Sequence, residues 1–203
     1  NNIGLRSLKL HPDEIVIFLN PDAFLQEDAI SSLVGSIKEQ PATGAIGGKL
    51  LHYDLEKAEG TKQLDSTGIF RKWYGRWYDR GQGEDDKGQY DLEQYVPGIC
   101  GALFCCRVRA LQSLDSFGFD ERFFMYKEDI ELSLRLRGKG WQLLYNPKVI
   151  AFHCRGWNNS RSEVSYDMRL MSARNELTLY LLHPSIYILW AFIKYISVRF
   201  FRI

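Results

Sequence analysis

Five consecutive apolar residues, Ile15-Val16-Ile17-Phe18-Leu19, stop abruptly at Asn20-Pro21-Asp22. A short, partly β-branched run closed by turn-forming residues predicts a buried central strand. Helical spacing follows at Ala29, Ile30, Leu33, Val34 and Ile37, with Glu27 and Asp28 near its start and Lys38 near its end. That charge order suits the helix dipole, and Pro41 marks the stop. Ala45 to Leu50 reads as the next strand, closely packed at Gly47 and Gly48. Strand, helix and strand within about 40 residues predict an α/β unit.

The pattern breaks over residues 54–95, which mix charges and glycines with Phe70, Trp73, Tyr74, Trp77, Tyr78 and Tyr90. Short strands and a long loop on one face are expected, either functional or a solvated insertion. Val96 to Val108 reads as a strand and Arg107 to Leu114 as a short helix. Glu128 to Arg137 is helix-like: Ile130 and Leu134 share a face, Glu131 precedes Arg135 by one turn, and Gly138 and Gly140 close it. Trp141 to Tyr145 and Val149 to His153 are predicted as two strands separated by Asn146-Pro147, and residues 163–182 as a helix. From Pro184 onward apolar and aromatic residues dominate, and the ionisable side chains are Lys194, Arg199 and Arg202. This run is too short to span a bilayer as a helix. Its composition suits a helix lying in a membrane interface, the alternative being a helix buried on the domain or on a partner.

Composition narrows the class. The 203 residues are 45% hydrophobic and 25% charged, which suits one folded domain and excludes a disordered chain or a coiled coil. Lys and Arg total 26 against 25 for Asp and Glu, a net charge of +1, so no nucleic-acid partner is expected. Cys100, Cys105, Cys106 and Cys154 include no Cys-x-x-Cys pair and read as small apolar core residues in a reducing compartment. The amino-terminal residues lack the pattern of a signal peptide, and the missing initial Met reads as truncation.

Three places carry candidate chemistry. Asn20-Pro21-Asp22 lies at the carboxyl end of a predicted buried strand, where open α/β sheets bind ligands. Asp22 there suits a hard divalent cation bridging phosphate oxygens, although Asn-Pro-Asp is also good turn chemistry. Glu128-Asp129 opens a helix, as a cap or as a general base against an apolar wall of Phe123, Phe124 and Tyr126 that would raise its pKa. His153 ends an apolar stretch before Gly156, Trp157, Asn158 and Asn159. It becomes a candidate ligand if it faces Asp22.

In order, these segments resemble the inverting, nucleotide-sugar-dependent family-2 glycosyltransferases of GT-A fold, closest to the rhamnosyltransferase-like branch. The resemblance rests on Phe18 to Asp22, Gly98-Ile99-Cys100-Gly101-Ala102, the stretch from Phe119 to Leu132, and Tyr145-Asn146-Pro147 leading to His153. It implies an α/β, Rossmann-like GT-A fold with a mixed sheet flanked by helices. Residues 1–175 would form a partial catalytic domain, and 176–203 a carboxyl-terminal amphipathic segment. By resemblance, Asp22 holds Mg²⁺ or Mn²⁺ on the donor diphosphate, with Asn20 in the place of the motif's first acid and His153 completing the metal site. Asp129 matches the catalytic base. Gly101, Ala102, Glu128 and Trp157 are placed on the acceptor side.

The implied partners are a nucleotide-diphosphate sugar donor, a glycan or lipid-linked acceptor, and a membrane surface. The implied location is the cytoplasmic face of the membrane, in polysaccharide biosynthesis for the cell envelope. The family's nucleobase pocket precedes the metal motif, so the donor-binding half is expected upstream of Asn1 and tight donor binding by these 203 residues alone is not expected. A non-catalytic remnant that binds a glycan or membrane partner is the alternative. A metal-dependent nucleotidyltransferase fits less well, because the Gly-rich basic amino-terminal loop of such enzymes is not seen.

Overall fold

A computed structural model describes residues 1–154 and 164–202. Its centre is β3 (Thr43–Asp54), whose first nine residues are all buried, as expected of a strand covered on both faces. β9 (Gln142–His153) runs parallel to β3. On the other side of β3 lies the antiparallel β8 (Leu103–Arg107), and β1 (Ile15–Leu19) is antiparallel to β8. β1, β3 and β9 therefore point the same way, and their carboxyl ends share one end of the sheet. β2 (Ala23–Leu25) pairs with the far end of β9, and β4 (Glu59–Ser66) with the far end of β3. The two-residue β7 (Gln94–Tyr95) pairs with β9, while β5 (Ile69–Arg71) and β6 (Trp77–Asp79) form a separate hairpin. The result is a mixed sheet flanked by helices.

Two apolar clusters form the core. In one, Leu33 and Ile37 of α2 (Ala29–Glu39) pack with Ile46, Leu50 and Ala151 of the sheet. In the other, Leu132 and Leu136 of α4 (Glu128–Gly138) pack with Phe104 and Tyr145. The four cysteines are buried, as their apolar surroundings suggest. Burial pushes the Cys105 thiol up to about 12, which makes it inert.

Two predicted elements differ. The segment 96–108 is a strand only over Leu103–Arg107, followed at once by the short helix α3 (Val108–Gln112). Before it, the Ile99 N–H bonds Ser133 Oγ (3.2 Å) and the Gly101 N–H bonds Asp129 (2.9 Å), so α4 takes the donors that a sheet neighbour would need. The two strands expected around Asn146-Pro147 are one strand, β9, with a bulge. Its register on β3 jumps from Gly48–Asn146 to Lys49–Ile150. The Asn146 side chain stabilises the bulge, accepting from Lys148 N–H (2.8 Å) and donating to Ser36 Oγ (2.7 Å). Gly48 is required there, since a Cβ would lie 2.3 Å from the Val149 carbonyl oxygen.

The carboxyl-terminal part contains α5 (Tyr166–Leu182) and α6 (Ile188–Phe201), which pack on each other. Ser165 caps α5 by accepting from Met168 N–H. α5 runs unbroken across 175 and 176, where the sequence reading divides the chain, and Asn175 and Glu176 are both buried. Among the described residues no helix is long and apolar enough to cross a membrane.

Candidate active site

The turn after β1 is built by hydrogen bonds from both sides. The Asn20 N–H donates to the Ala102 carbonyl, and the Ala23 N–H to the Asn20 carbonyl, each at 3.1 Å. β2 then starts with Ala23 opposite His153, and Cys154 N–H donates to the Asp22 carbonyl at 3.0 Å. This register places Asp22 Oδ1 3.4 Å from His153 Nε2. Asn20 Nδ2 lies 3.5 Å from the same nitrogen. The meeting of Asp22 and His153 required by the sequence reading is therefore present.

The other ring nitrogen, Nδ1, is 2.9 Å from Asp65 Oδ2 near the end of β4. His153 and Asp65 are both buried, whereas the Asp22 side chain is 43% exposed. A carboxylate accepts, so the tautomer with a proton on Nδ1 satisfies Asp65 and leaves Nε2 as an acceptor for Asn20 Nδ2, with the Asp22 carboxylate beside it. This is the donor chemistry of a metal-binding histidine with its carboxylate partner. Among the described residues, no group of three or more His, Cys, Asp or Glu could hold a metal by itself. Two protein donors at an open sheet end fit an ion whose remaining ligands are oxygens of a bound diphosphate.

The acid pair is held from a different direction. α4 starts after two successive left-handed residues, Tyr126 (φ 69°) and Lys127 (φ 71°), neither of them glycine. Such residues cost about 1 kcal/mol or more each and persist only where the surroundings impose them. Here Asn175 of α5 imposes the turn, its Nδ2 donating to the carbonyls of Met125 (2.7 Å) and Tyr126 (2.9 Å). Asp129 Oδ2 accepts from Gly101 N–H (2.9 Å), and its Oδ1 from Ile130 N–H (2.8 Å).

Burial raises the Asp129 carboxyl above its usual range, opposed by the Gly101 and Ile130 N–H groups and assisted by the charge of Asp79. Burial, and then Asp129 beside it, push Glu128 up to about 7. Glu128 Oε2 is buried with no hydrogen-bond partner among the described residues. Two adjacent acids, both shifted upward, titrate as a pair rather than independently. Such a pair is suited to accept a proton from a substrate hydroxyl.

The turn 98–102 connects the two parts. Gly101 holds Asp129 by its N–H, and the next residue, Ala102, holds Asn20 by its carbonyl. Ala102, expected on the acceptor side, has its side chain in the core at 2% exposure, so its contribution is that carbonyl. The expected apolar wall is also revised. Phe123 is buried, but Phe124 is 89% exposed and shields nothing.

The aromatics of 70–78 are mostly structural. Trp77 is buried, Tyr74 packs on Trp190 (centroids 4.8 Å apart), and Lys72 covers Tyr78. Trp157, with Gly156, Asn158 and Asn159, lies outside the described residues. Sequence reasoning missed Asp65, Asp79 and Asn175. None belongs to a motif, and the only hint was a lone Asn in an otherwise regular helix.

No family model matches the chain. Over 159 residues, 76% of its length, the chain is 28% identical to N-acetylglucosaminyl-diphospho-decaprenol L-rhamnosyltransferase of Mycobacterium tuberculosis, in the CDC 1551 / Oshkosh strain and equally in the H37Rv strain. It spans about half the length of these curated relatives, 51%. The structure of GalNAc-T7 with UDP, GalNAc and Mn²⁺ superposes at a TM-score of 0.61 and 15% identity, covering 92% of this chain and 34% of that one. The mannosyltransferase PcManGT from Pyrobaculum calidifontis, in complex with GDP-Man and Mn²⁺, gives 0.50 at 15% identity, covering 98% and 48%. The fold is that of the GT-A glycosyltransferases, and the chain is rhamnosyltransferase-like in sequence.

Proposed function

We propose that this chain carries the metal, base and acceptor portion of an inverting glycosyltransferase. The reading is transfer of a sugar, with rhamnose favoured by the curated relatives, from a nucleotide-diphosphate donor to a hydroxyl of a lipid-linked saccharide. The observation that carries it is the turn 98–102, which bonds Asn20 of the Asp22–His153 cluster on one side and Asp129 on the other.

Asp22 and His153 would hold Mg²⁺ or Mn²⁺, which when bound neutralises the charge growing on the leaving diphosphate. The Mn²⁺ in both structural neighbours supports that ion. Asp65 keeps His153 in the ligating tautomer. Asp129 takes the proton of the acceptor hydroxyl as its oxygen attacks the anomeric carbon from the face opposite the diphosphate, which inverts that carbon. The Gly101 N–H aims the carboxylate, and burial together with the charge of Asp79 raises its pKa. The protein acts at the cytoplasmic face of the membrane as a peripheral protein, in cell-envelope polysaccharide assembly.

The test is a donor screen on the full-length protein with a polyprenyl-diphosphate saccharide acceptor, with and without Mn²⁺ or Mg²⁺, read by mass spectrometry. Metal-dependent gain of one sugar, lost in Asp129→Asn, is expected. Transfer retained near wild type in Asp129→Asn would overturn the base assignment.

A further inference from the structure

Helix α6 has two unlike faces. Ala191 and Val198 are buried against the domain, and Lys194 turns inward to pair with the buried Glu176. On the opposite side Leu189, Phe192, Ile193 and Phe200 stand 54–69% exposed. An apolar stripe of this size on the outside of a helix needs an occupant.

A second segment, far away in sequence, joins this face. The tip of the β5–β6 hairpin lies on α5 and α6. The Tyr180 hydroxyl donates to the Gly75 carbonyl, Arg71 sits 4.2 Å over the Tyr187 ring, and Tyr74 meets Trp190 edge-on. Gly75, at φ 111°, allows the tight fit, since a Cβ there would come 2.7 Å from Tyr187 Cβ. The contact fixes the tip and leaves Trp73 at 86% exposure, edge-on to Tyr74 at 5.4 Å. Residues 69–78 carry Arg71, Lys72 and Arg76 and no acid, and residues 184–202 carry Lys194, Arg199 and Arg202 and no acid. Of these six cations, Lys194 is committed to Glu176, which leaves the other five.

We propose that the tip of the β5–β6 hairpin and the outward face of α6 form one surface that docks on an anionic lipid bilayer, with Trp73 as its interfacial anchor. The occupant follows from the chemistry of both segments. Exposed Trp and Phe with an aliphatic stripe suit the boundary between headgroups and acyl chains, and Arg and Lys without acids suit anionic headgroups. Over its described residues α6 shows two unlike faces, one packed on the domain and one exposed, as suits a helix lying in the plane of the interface. On the inner side of α6, Lys194 feels the charges of both Arg76 and Lys127, so the helix and the hairpin tip lie near the turn that presents Glu128 and Asp129. Resting on the proposed function, that placement brings a lipid-borne acceptor to the base.

The test is co-sedimentation of the full-length protein with phosphatidylcholine vesicles containing phosphatidylglycerol, against phosphatidylcholine alone. Binding to the anionic vesicles is expected, weakening as salt rises. Trp73→Ser is expected to bind about tenfold more weakly, and Leu189→Ser with Ile193→Ser more weakly still. These side chains are exposed, so circular dichroism and the melting temperature should match wild type. Equal binding by Trp73→Ser and wild type would overturn the proposal. So would wild type that ignores anionic vesicles, or that forms a dimer which Leu189→Ser dissolves. Vesicle binding is read without sugar transfer, so its failure leaves the transferase reading standing, and a failed transfer assay leaves the docking surface standing.

Discussion

Asp65 Oδ2 lies 2.9 Å from His153 Nδ1, on the side of the imidazole away from Asp22. The two acids thus address opposite nitrogens of one ring, and each has a separate task. In the proposed metal site Asp65 would orient the ring and Asp22 would share the ion with it.

Asp65→Asn is therefore expected to weaken Mn²⁺ binding in the presence of a nucleoside diphosphate by roughly 10–100-fold. Asp65 touches no reacting atom, so the acceptor KM should change little. Electron paramagnetic resonance of free Mn²⁺ reads the affinity directly. Wild-type affinity in Asp65→Asn would remove His153 from the ligand set.

Asp129→Asn keeps an oxygen for the Gly101 N–H and loses the base. Transfer should fall about 10²–10⁴-fold, with donor and metal affinity unchanged. Single-turnover product formation beside calorimetric donor titration separates the two effects.

Glu128 gives a pH signature. Its folded-state pKa is raised from 4.5 to about 7. The folded protein therefore binds this proton more tightly than the unfolded chain. The resulting stability is complete below pH 4.5, shrinks as pH rises, and is lost above about 7. Glu128→Gln stays neutral throughout, so it should match wild type in acid and exceed it by roughly 2–3 kcal/mol at alkaline pH. Urea unfolding at several pH values measures this, and a constant difference between the two proteins would contradict it.

Asn175→Ala removes both side-chain donors from the strained turn at Tyr126 and Lys127. A stability loss of about 1–3 kcal/mol is expected, with kcat reduced more than KM because the acid pair loses its placement. Asn175→Asp should be worse, since a carboxylate would face two carbonyl oxygens. A variant with lowered stability and unchanged kcat would make Asn175 purely structural.

Much of the scaffold was legible because its signals are local. β1, α2 and α4 follow from apolar spacing, a turn at Asn20 and charges at helix ends. The bulge in β9 was not, because Asn146-Pro147 is ordinary strand-ending chemistry. Only the Asn146 bond to Ser36 and the fit of Gly48 under Val149 keep the strand whole. The candidate site divides in the same way. Asp22, Glu128, Asp129 and His153 stand in motifs, and the fold brings Asp22 to His153 through the β2–β9 register. Asp65 and Asn175 act across 88 residues and about 50 residues of chain, and no spacing rule reaches that far.

The turn 98–102 has a consequence for redesign. Gly101 and Ala102 are consecutive residues, and one holds Asp129 while the other holds Asn20 at the start of the loop that carries Asp22. A Cβ on Gly101 would press on Asp129 Cβ at 3.3 Å, and any relief of that pressure would move Ala102 and with it Asn20. Libraries that seek a new acceptor by varying this turn should therefore lose donor handling in the same clones. Variation at the exposed Phe124 carries no such linkage and offers the freer starting point.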